Sequence, residues 1–396
     1  MNKKTIKDLG DLEGKRVLVR VDFNVPLDDA GNVSNDRRIT GALPTLKFLL
    51  DAGASLIVMS HLGDPKGGAR ENPTLTMTRV AERLGKHLGK PVQKTDEVAG
   101  PAVEKLAAAL EPGDVLVLEN LRFDPGEKKN SDELARKLAA LANVYVNDAF
   151  GTCHRKHASM VAVPAAMKGK PRAVGFLVGK ELDIIGNLLG APAKPMVGIM
   201  GGAKVSDKIE FIKSMLSRVD QLLVGGAMTY TFLAAQGVKI GNSRCEKDKL
   251  DVARELLQFG GAKIVLPVDH LIADKVDAAA QTKVVEGEIP EGWFGLDIGP
   301  KTIARYQDAI KQAKTVVWNG PVGKFEDEPF SKGTRAIAAA MAACPGVTVI
   351  GGGETAEAVE LFGLDDKMTH VSTGGGAFLD YVAGSSFPAL AEIDDR

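Results

Sequence analysis

Cysteine is scarce in this sequence: Cys153, Cys245 and Cys344 are the whole complement in 396 residues. Three scattered thiols form neither a disulfide framework nor a metal cluster, and a reducing cytoplasm is the expected location. Long apolar runs are missing as well. The stretch MNKKTIKDLGDLEGKR lacks an apolar signal core. No segment approaches the ~18 apolar residues of a membrane span, so secretion and membrane insertion are not expected. Charge of one sign is absent too: 50 Lys+Arg stand against 51 Asp+Glu, a net charge of −1. Without a global field to recruit nucleic acid or an anionic membrane, any anion site must be local. Two motifs are also lacking. No GxxxxGK[ST] is present, which excludes a Walker-type NTPase, and no GxGxxG opens the first strand–helix turn, which weakens a dinucleotide-binding reading. No internal repeat or low-complexity tract is evident.

Glycine, by contrast, is abundant. The second half punctuates five apolar, strand-like runs with glycine-rich turns: MVGIMGGAKVSDKIEFI (196–212), QLLVGGAMTYTFL (221–233), TVVWNGPVGKF (315–325), VTVIGGGETAEAV (347–359) and HVSTGGGAFLDYV (370–382). Glycine allows close approach of backbone N–H groups to a polyphosphate, and a following helix presents its positive end to the same anion. Loops at the carboxyl ends of parallel strands share one rim of a sheet, where open α/β proteins bind ligands. A nucleotide phosphate site is the expectation.

The first half follows the same grammar. KRVLVRVDFNVP (15–26), ASLIVMSHLGDP (54–65), DVLVLENLRFDPG (114–126) and ANVYVNDAFGTCHRKH (142–157) are β-branched runs ending in polar loops. Stretches with helical periodicity, such as SDELARKLAALA, separate them. Alternation of this kind predicts an α/β chain of two doubly wound parallel-sheet (Rossmann-like) domains, joined by a helical hinge near 179–195.

The two halves place different chemistry on these strand ends. The first carries Asp22, Asn24, His61, Arg122, His154, Arg155 and His157, with Arg37 and Arg38 in the loop NDRRI. Arginine's planar fork suits a phosphate or carboxylate, so this is a candidate site for a small anion. In the second half, GGAKVSDK puts Lys204 and Lys208 at i and i+4 near a helix start, a repulsive arrangement that a bound anion would relieve. Ser372-Thr373 before Gly374, Gly375 and Gly376 is an N-cap or part of a ligand loop. Glu354 is either a favourable first-turn acid or a magnesium ligand.

Taken together and in order, RVDFNVP, SHLG-P-G, ENLRF, NDAFGTCHRKHAS, GGAKVSDKI, GLDIGPKT, WNGPVGKFE, GGGET and STGGGAFL resemble phosphoglycerate kinase along essentially the whole chain. The resemblance implies reversible transfer of the acyl phosphate of 1,3-bisphosphoglycerate to Mg-ADP, giving 3-phosphoglycerate and Mg-ATP, by a cytoplasmic, glycolytic monomer that closes about its hinge. It implies a phosphoglycerate-binding domain at 1–183, a nucleotide-binding domain at 184–379 and a tail, 380–396, returning to the first. It assigns phosphoglycerate to Asp22, Phe23, Asn24, Arg38, His61, Leu62, Gly63, Asp64, Arg122 and Arg155. The nucleotide falls to Asp207, Lys208, Gly295, Asn319, Glu326, Gly352, Gly353, Glu354 and Thr355, with Mg2+ on Glu354. Catalysis falls to Arg38, Lys204 and Gly374 to Gly376. The absence of an evident general base agrees with this reading, because a carboxylate of pKa about 4 is already ionised at neutral pH.

Four positions depart from the family pattern. Asp64 replaces an arginine, Glu354 an aspartate, Ala227 a glycine, and Lys324 an apolar residue. Lys66 and Arg70 are the expected substitutes for the charge lost at Asp64. The competing readings are a Rossmann-type oxidoreductase and a two-lobed anion-binding protein; the second has no use for a magnesium ligand.

Overall fold

The apolar runs fold as strands. The computed structural model describes residues 2–396. In chain order its strands are β1 (Arg16–Val21), β2 (Ser55–Met59), β3 (Gln93–Lys94), β4 (Val115–Val117), β5 (Val144–Asp148), β6 (Arg172–Val174), β7 (Met196–Met200) and β8 (Gln221–Val224). They continue with β9 (Ile264–Val265), β10 (Asp269–Ala273), β11 (Thr282–Glu286), β12 (Phe294–Ile298), β13 (Thr315–Asn319), β14 (Val347–Gly351) and β15 (His370–Val371). Two compact units result. One comprises the chain up to Ile184 together with Ser386–Arg396, and the other spans Ile185–Ser385.

The first unit is built on a six-stranded sheet, ordered β3-β4-β2-β1-β5-β6, in which every pair is parallel. Central β1 sets Val17 between Leu56 and Val144. β2 and β5 are buried at every position, as expected when helices cover both faces. Helix Arg37–Asp51 contributes Ile39, Ala42, Leu46 and Leu49 to that core. Full burial of such aliphatic side chains stabilises by roughly 1.5–3 kcal/mol each. The carboxyl-terminal segment packs on this unit: Asp394 O accepts from Lys4 N–H at 2.8 Å, Asp394 Oδ1 accepts from Arg172 Nη2 at 2.6 Å, and Phe387 lies 5.7 Å from Phe150.

The second unit repeats the plan with the order β15-β14-β13-β7-β8-β9, again all parallel. The five glycine-punctuated runs thus lie side by side in one sheet. One element departs from the expectation of parallel sheets alone: β11, β10 and β12 form a separate antiparallel sheet. Its outer strand β11 is nearly all exposed, so its alternation carries no core signal. The sheet closes over its own small cluster, Tyr230, Leu233, Ile272 and Ile289.

Buried carboxylates hold several helix starts. Asp269 Oδ1 accepts from Thr302 N–H at 2.8 Å and Oδ2 from Lys301 N–H at 2.9 Å, at the head of helix Pro300–Gln312. Asp148 Oδ1 accepts from Leu177 N–H at 2.9 Å and Val178 N–H at 3.2 Å, in the first turn of helix Phe176–Gly190. Burial pushes the Asp148 carboxyl up to about 7, against these bonds, which favour ionisation. Between an unfolded value of about 4 and that folded value, the folded state holds the extra proton, so stability falls as pH rises. Asp148→Asn keeps an acceptor oxygen and removes the titration. It should therefore gain on the wild type between pH 5 and pH 8, by on the order of 1–3 kcal/mol. Paired melting curves at the two pH values check this, and a gap independent of pH would contradict it.

Candidate functional site

In the first unit, β4, β2, β1 and β5 are neighbours, so the loops after them share one rim. Asn120 ties two of these loops together. Its Oδ1 accepts from Leu62 N–H and Arg122 N–H, both at 3.1 Å, and its Nδ2 donates to Leu62 O at 2.7 Å. Asn24 Oδ1 accepts from Gly63 N–H at 2.8 Å, and Ser60 Oγ accepts from Phe23 N–H at 2.8 Å. Asp22 to Asn24, His61 to Asp64 and Arg122 are thereby brought together. Beneath them lies Arg20, wholly buried. Its Nε donates to Ser159 Oγ at 3.0 Å and its Nη2 meets His61 Nδ1 at 3.2 Å.

Electrostatics divide this set. Burial drives the His61 imidazole down to about 2, with Arg20 adding to the effect and Asp22 opposing it. Burial likewise takes His157 to about 4, with Arg122 and Arg155 lowering it further. Both imidazoles are neutral at physiological pH and serve as hydrogen-bonding groups, so the cationic character of the rim comes from Arg20, Arg38, Arg122 and Arg155. Arg38 is ion-paired with Asp22 and opens helix Arg37–Asp51, not a loop as the segment NDRRI suggests. Burial raises the Asp22 carboxyl, but the Arg38 and Arg20 guanidiniums outweigh it, and the net shift is downward. Arg155 is exposed, and its Nε donates to His154 Nε2 at 3.3 Å.

Asp64 is neutralised from an unexpected direction. Neither Lys66 nor Arg70 forms an ion pair among the described residues; Lys128 holds the carboxylate instead, with Arg122 Nη1 at 3.6 Å. Nothing local in the sequence connects residues 64 positions apart.

In the second unit the strand exits are joined backbone to backbone. Gly201 N–H donates to Asn319 O, and Gly202 N–H to Pro321 O, both at 2.9 Å; Gly226 N–H donates to Val322 O at 2.8 Å. A β-carbon on Gly201 would lie 2.1 Å from Pro321 O. These glycines therefore serve close packing, and their amides are already spent. Gly353, Gly375 and Gly376 differ, since a β-carbon there would meet nothing within 4 Å. They precede or open helices Gly353–Leu361 and Gly376–Val382, whose first N–H groups have no intrahelical acceptor.

Lys204 and Lys208 do not repel on one helical face. Lys204 lies in the turn before the 3-10 helix Ser206–Lys208, and the α-helix begins only at Ile209. Lys204 is exposed and forms no ion pair among the described residues. Lys208 Nζ turns back to donate to Gly201 O at 2.8 Å. Burial lowers the Lys208 ammonium to about 8, with Glu354 and Asp207 opposing the shift. Ser372 is not an N-cap: that position belongs to Gly375, and Ser372 Oγ accepts from Gly374 N–H at 3.1 Å.

Beside these groups is a cavity of about 470 Å³, bordered by Gly202, Gly295, Leu296, Pro321, Glu326 and Glu354. Its volume lies within the range of small-ligand pockets. Gly295 is required there because a β-carbon would strike Tyr230 Oη at 2.1 Å. Asp207 is exposed on the adjoining turn. Asn319 and Thr355 are buried and internally engaged: Asn319 Nδ2 donates to Gly351 O at 2.9 Å, and Thr355 Oγ1 accepts from Gly320 N–H at 2.7 Å. They shape the loops from behind. Arg244 and Lys324 also border the cavity, and Lys324 is ion-paired with Asp327, leaving Glu326 unpaired among the described residues. Arg20, Lys128 and Arg244 were not singled out by the sequence reading. Only Arg20 carried a signal, as the one charge inside the apolar run VLVRV.

A single carboxylate does not make a resident metal site, and no group of three or more His, Cys, Asp or Glu residues suited to a metal occurs among the described residues. Exposed Glu354 at the cavity edge, without an ion pair among the described residues, fits a magnesium ion that arrives with a nucleotide, since that ion keeps most of its ligands as phosphate oxygens and water.

Comparison with known proteins identifies the family. The phosphoglycerate kinase family profile matches residues 6–385. Curated phosphoglycerate kinases of Chloroflexus aurantiacus and Anaeromyxobacter dehalogenans are 52% and 51% identical, each aligned over 100% of both chains. Among solved structures, the phosphoglycerate kinase of Coxiella burnetii matches with a TM-score of 0.89 at 39% identity, and that of Pyrococcus horikoshii OT3 with 0.85 at 30%. Both alignments cover 98% of each chain. With sequence and fold in agreement over its whole length, the chain belongs to the phosphoglycerate kinase family.

Proposed function

We propose that the first unit holds 3-phosphoglycerate or 1,3-bisphosphoglycerate, that the second holds Mg-ADP or Mg-ATP, and that the acyl phosphate passes reversibly between them. The observation that carries this reading is the division of chemistry. An arginine-rich rim in one unit faces a small anion's needs, while the other combines a nucleoside-sized cavity with an uncommitted lysine and an uncommitted carboxylate.

The rim residues act by positioning. Arg38, Arg122 and Arg155 supply forked donors to phosphate and carboxylate oxygens, and neutral His61 adds a hydrogen bond without a charge of its own. The loops of Asp22 to Asn24 and of Leu62 and Gly63 hold the acceptor's hydroxyl and carboxylate ends, with Asp64 at the edge of the second loop. In the second unit Gly295 and Glu326 border the nucleoside, and Lys208, Asp207, Gly352, Gly353 and Thr355 shape the phosphate loop. Glu354 holds magnesium, which neutralises phosphate charge when it is bound. Arg38, Lys204 and the backbone of Gly374 to Gly376 stabilise the phosphoryl group in flight. No proton transfer is needed, since carboxylate and nucleotide oxygens attack as anions. Transfer requires the two ligands to approach, so we further propose hinge closure with both bound, by a cytoplasmic monomer with no nucleic-acid or membrane partner.

Formation of ATP from ADP and 1,3-bisphosphoglycerate in a coupled assay tests the whole reading. If Arg38 and Lys204 act on developing charge, Arg38→Ala or Lys204→Ala should lower kcat by roughly 10²-fold or more, with smaller changes in substrate affinity. A variant with near-normal kcat removes that residue from the mechanism.

Lys208 gives the nucleotide site a pH signature. Phosphates favour the ammonium, so they raise a pKa that stands at about 8 in the free protein. ADP binding above pH 8 should take up a proton and weaken with rising pH, while below pH 7 affinity should be flat on this account. Calorimetry in buffers of different ionisation enthalpy reads the proton directly, and Lys208→Arg should abolish the uptake.

Glu354→Ala should shift the magnesium dependence of ADP binding to higher concentration, and Glu354→Asp should be tolerated because it keeps the hard oxygen. Superimposable magnesium titrations for wild type and the Ala variant would exclude the side chain as a ligand.

A further inference from the structure

The rim of the first unit contains two carboxylates among its cations, and they are held differently. Asp22 keeps 14% of its side-chain surface in solvent and is paired with Arg38. Asp64 keeps 68%, and its Oδ1 is shared by Lys128 and Arg122. One exposed carboxylate oxygen thus serves two cations. Arg122 is fixed, with 7% of its side chain exposed and its Nη1 donating to Gly63 O at 2.5 Å. The Lys128 side chain is 48% exposed, but its backbone is anchored. Neighbouring Glu127 is buried, accepting from Ser159 N–H at 2.9 Å and from Ser159 Oγ at 2.6 Å. Ser159 Oγ in turn accepts from Arg20.

An exposed ion pair contributes little to folding because water and salt compete with it. A buried pair resists separation, since breaking it strands a charge away from water. Asp22 is the more enclosed carboxylate, 14% exposed against Arg38 at 38%, whereas Asp64, 68% exposed, can leave its cations at smaller cost. A ligand bearing more negative charge offers Arg122 and Lys128 the same contact more strongly.

Resting on the functional reading above, we propose that Lys128 is a further binding residue for the phosphorylated acid, and that Asp64 is its displaceable internal counter-ion. In the free protein Asp64 occupies the two cations. On binding, a carboxylate or phosphate group of the ligand takes its place and Asp64 turns to solvent. Asp64 thereby sets the affinity of the site, competing with the ligand without blocking it.

The test is a double-mutant cycle read by titration of 3-phosphoglycerate, with ADP titration as the control for folding of each variant. Asp64→Asn should tighten 3-phosphoglycerate binding roughly two- to fivefold, the range expected of an exposed charge pair. Lys128→Ala should weaken it by a similar factor, both alone and in the Asp64→Asn background. If Lys128 only neutralises Asp64, its loss will be silent once Asp64 is uncharged, and that outcome overturns the proposal. Unchanged or weaker binding by Asp64→Asn overturns it as well. A wild-type protein that binds ADP but not 3-phosphoglycerate refutes the underlying functional reading instead, which is a different result from either.

Discussion

A guanidinium with no exposed surface, Arg20, is the constraint around which the first unit's rim is organised. A charge removed from water must be matched by hydrogen bonds in place, or the fold cannot tolerate it. Arg20 finds its partners in His61, in Ser159 and in the Val21 carbonyl, which belong to three separate segments of the chain. Ser159 passes the constraint on to Glu127, and Glu127 also accepts from the Ser159 backbone. The loops after β1, β2 and β5 and the short helix Pro125–Lys128 are therefore fixed relative to one another by one buried cation and the acceptors it requires. Positioning is what a reaction without general acid–base chemistry demands of its protein.

The second unit reaches the same end with backbone. Its strand exits are cross-linked by amide–carbonyl bonds among Gly201, Gly202, Gly226, Asn319, Pro321 and Val322, and only residues without a β-carbon allow so close an approach. Gly226 and Gly320 also adopt positive φ, +66° and +92°, where L side chains are strained. Asn319 and Thr355 then reinforce the loops from within. Close packing accounts for the glycines at these strand exits, whereas Gly353, Gly375 and Gly376 face open space.

Much of this was legible in the sequence. Buried parallel strands announce themselves as short continuous apolar runs, and the motif loops fall at their carboxyl ends, so the parallel sheet of each unit could be anticipated, though not the short strands β3, β6 and β9. What could not be read has a physical reason in each instance. The antiparallel sheet was missed because β11 is solvent-exposed and carries no burial pattern. Lys128 was missed because its partner lies in a loop 64 positions away, and long-range ion pairs leave no periodicity. The protonation states of His61 and His157 depend on burial and on arginines from other segments, which composition does not reveal. A run of glycines, finally, cannot say which amides are already bonded; that depends on which strands become neighbours.

The charges themselves explain why the two half-sites differ in character. Arginine remains protonated at any pH the fold survives, and burial lowers His61 and His157 beside it. The arginines of the first unit therefore present a positive field that does not itself titrate in the physiological range. Two carboxylates oppose that field: Asp22, 14% exposed and paired with Arg38, and Asp64, 68% exposed and paired with Lys128 and Arg122. In the second unit burial lowers the Lys208 ammonium to about 8, so its charge, unlike an arginine's, responds to its surroundings. Desolvation that is unfavourable in the free protein becomes favourable to a bound anion, since a charge stripped of water interacts more strongly with its ligand. The two units thus hold their cations differently: one pairs arginines with Asp22 and Asp64, and the other turns a desolvated lysine onto the Gly201 carbonyl.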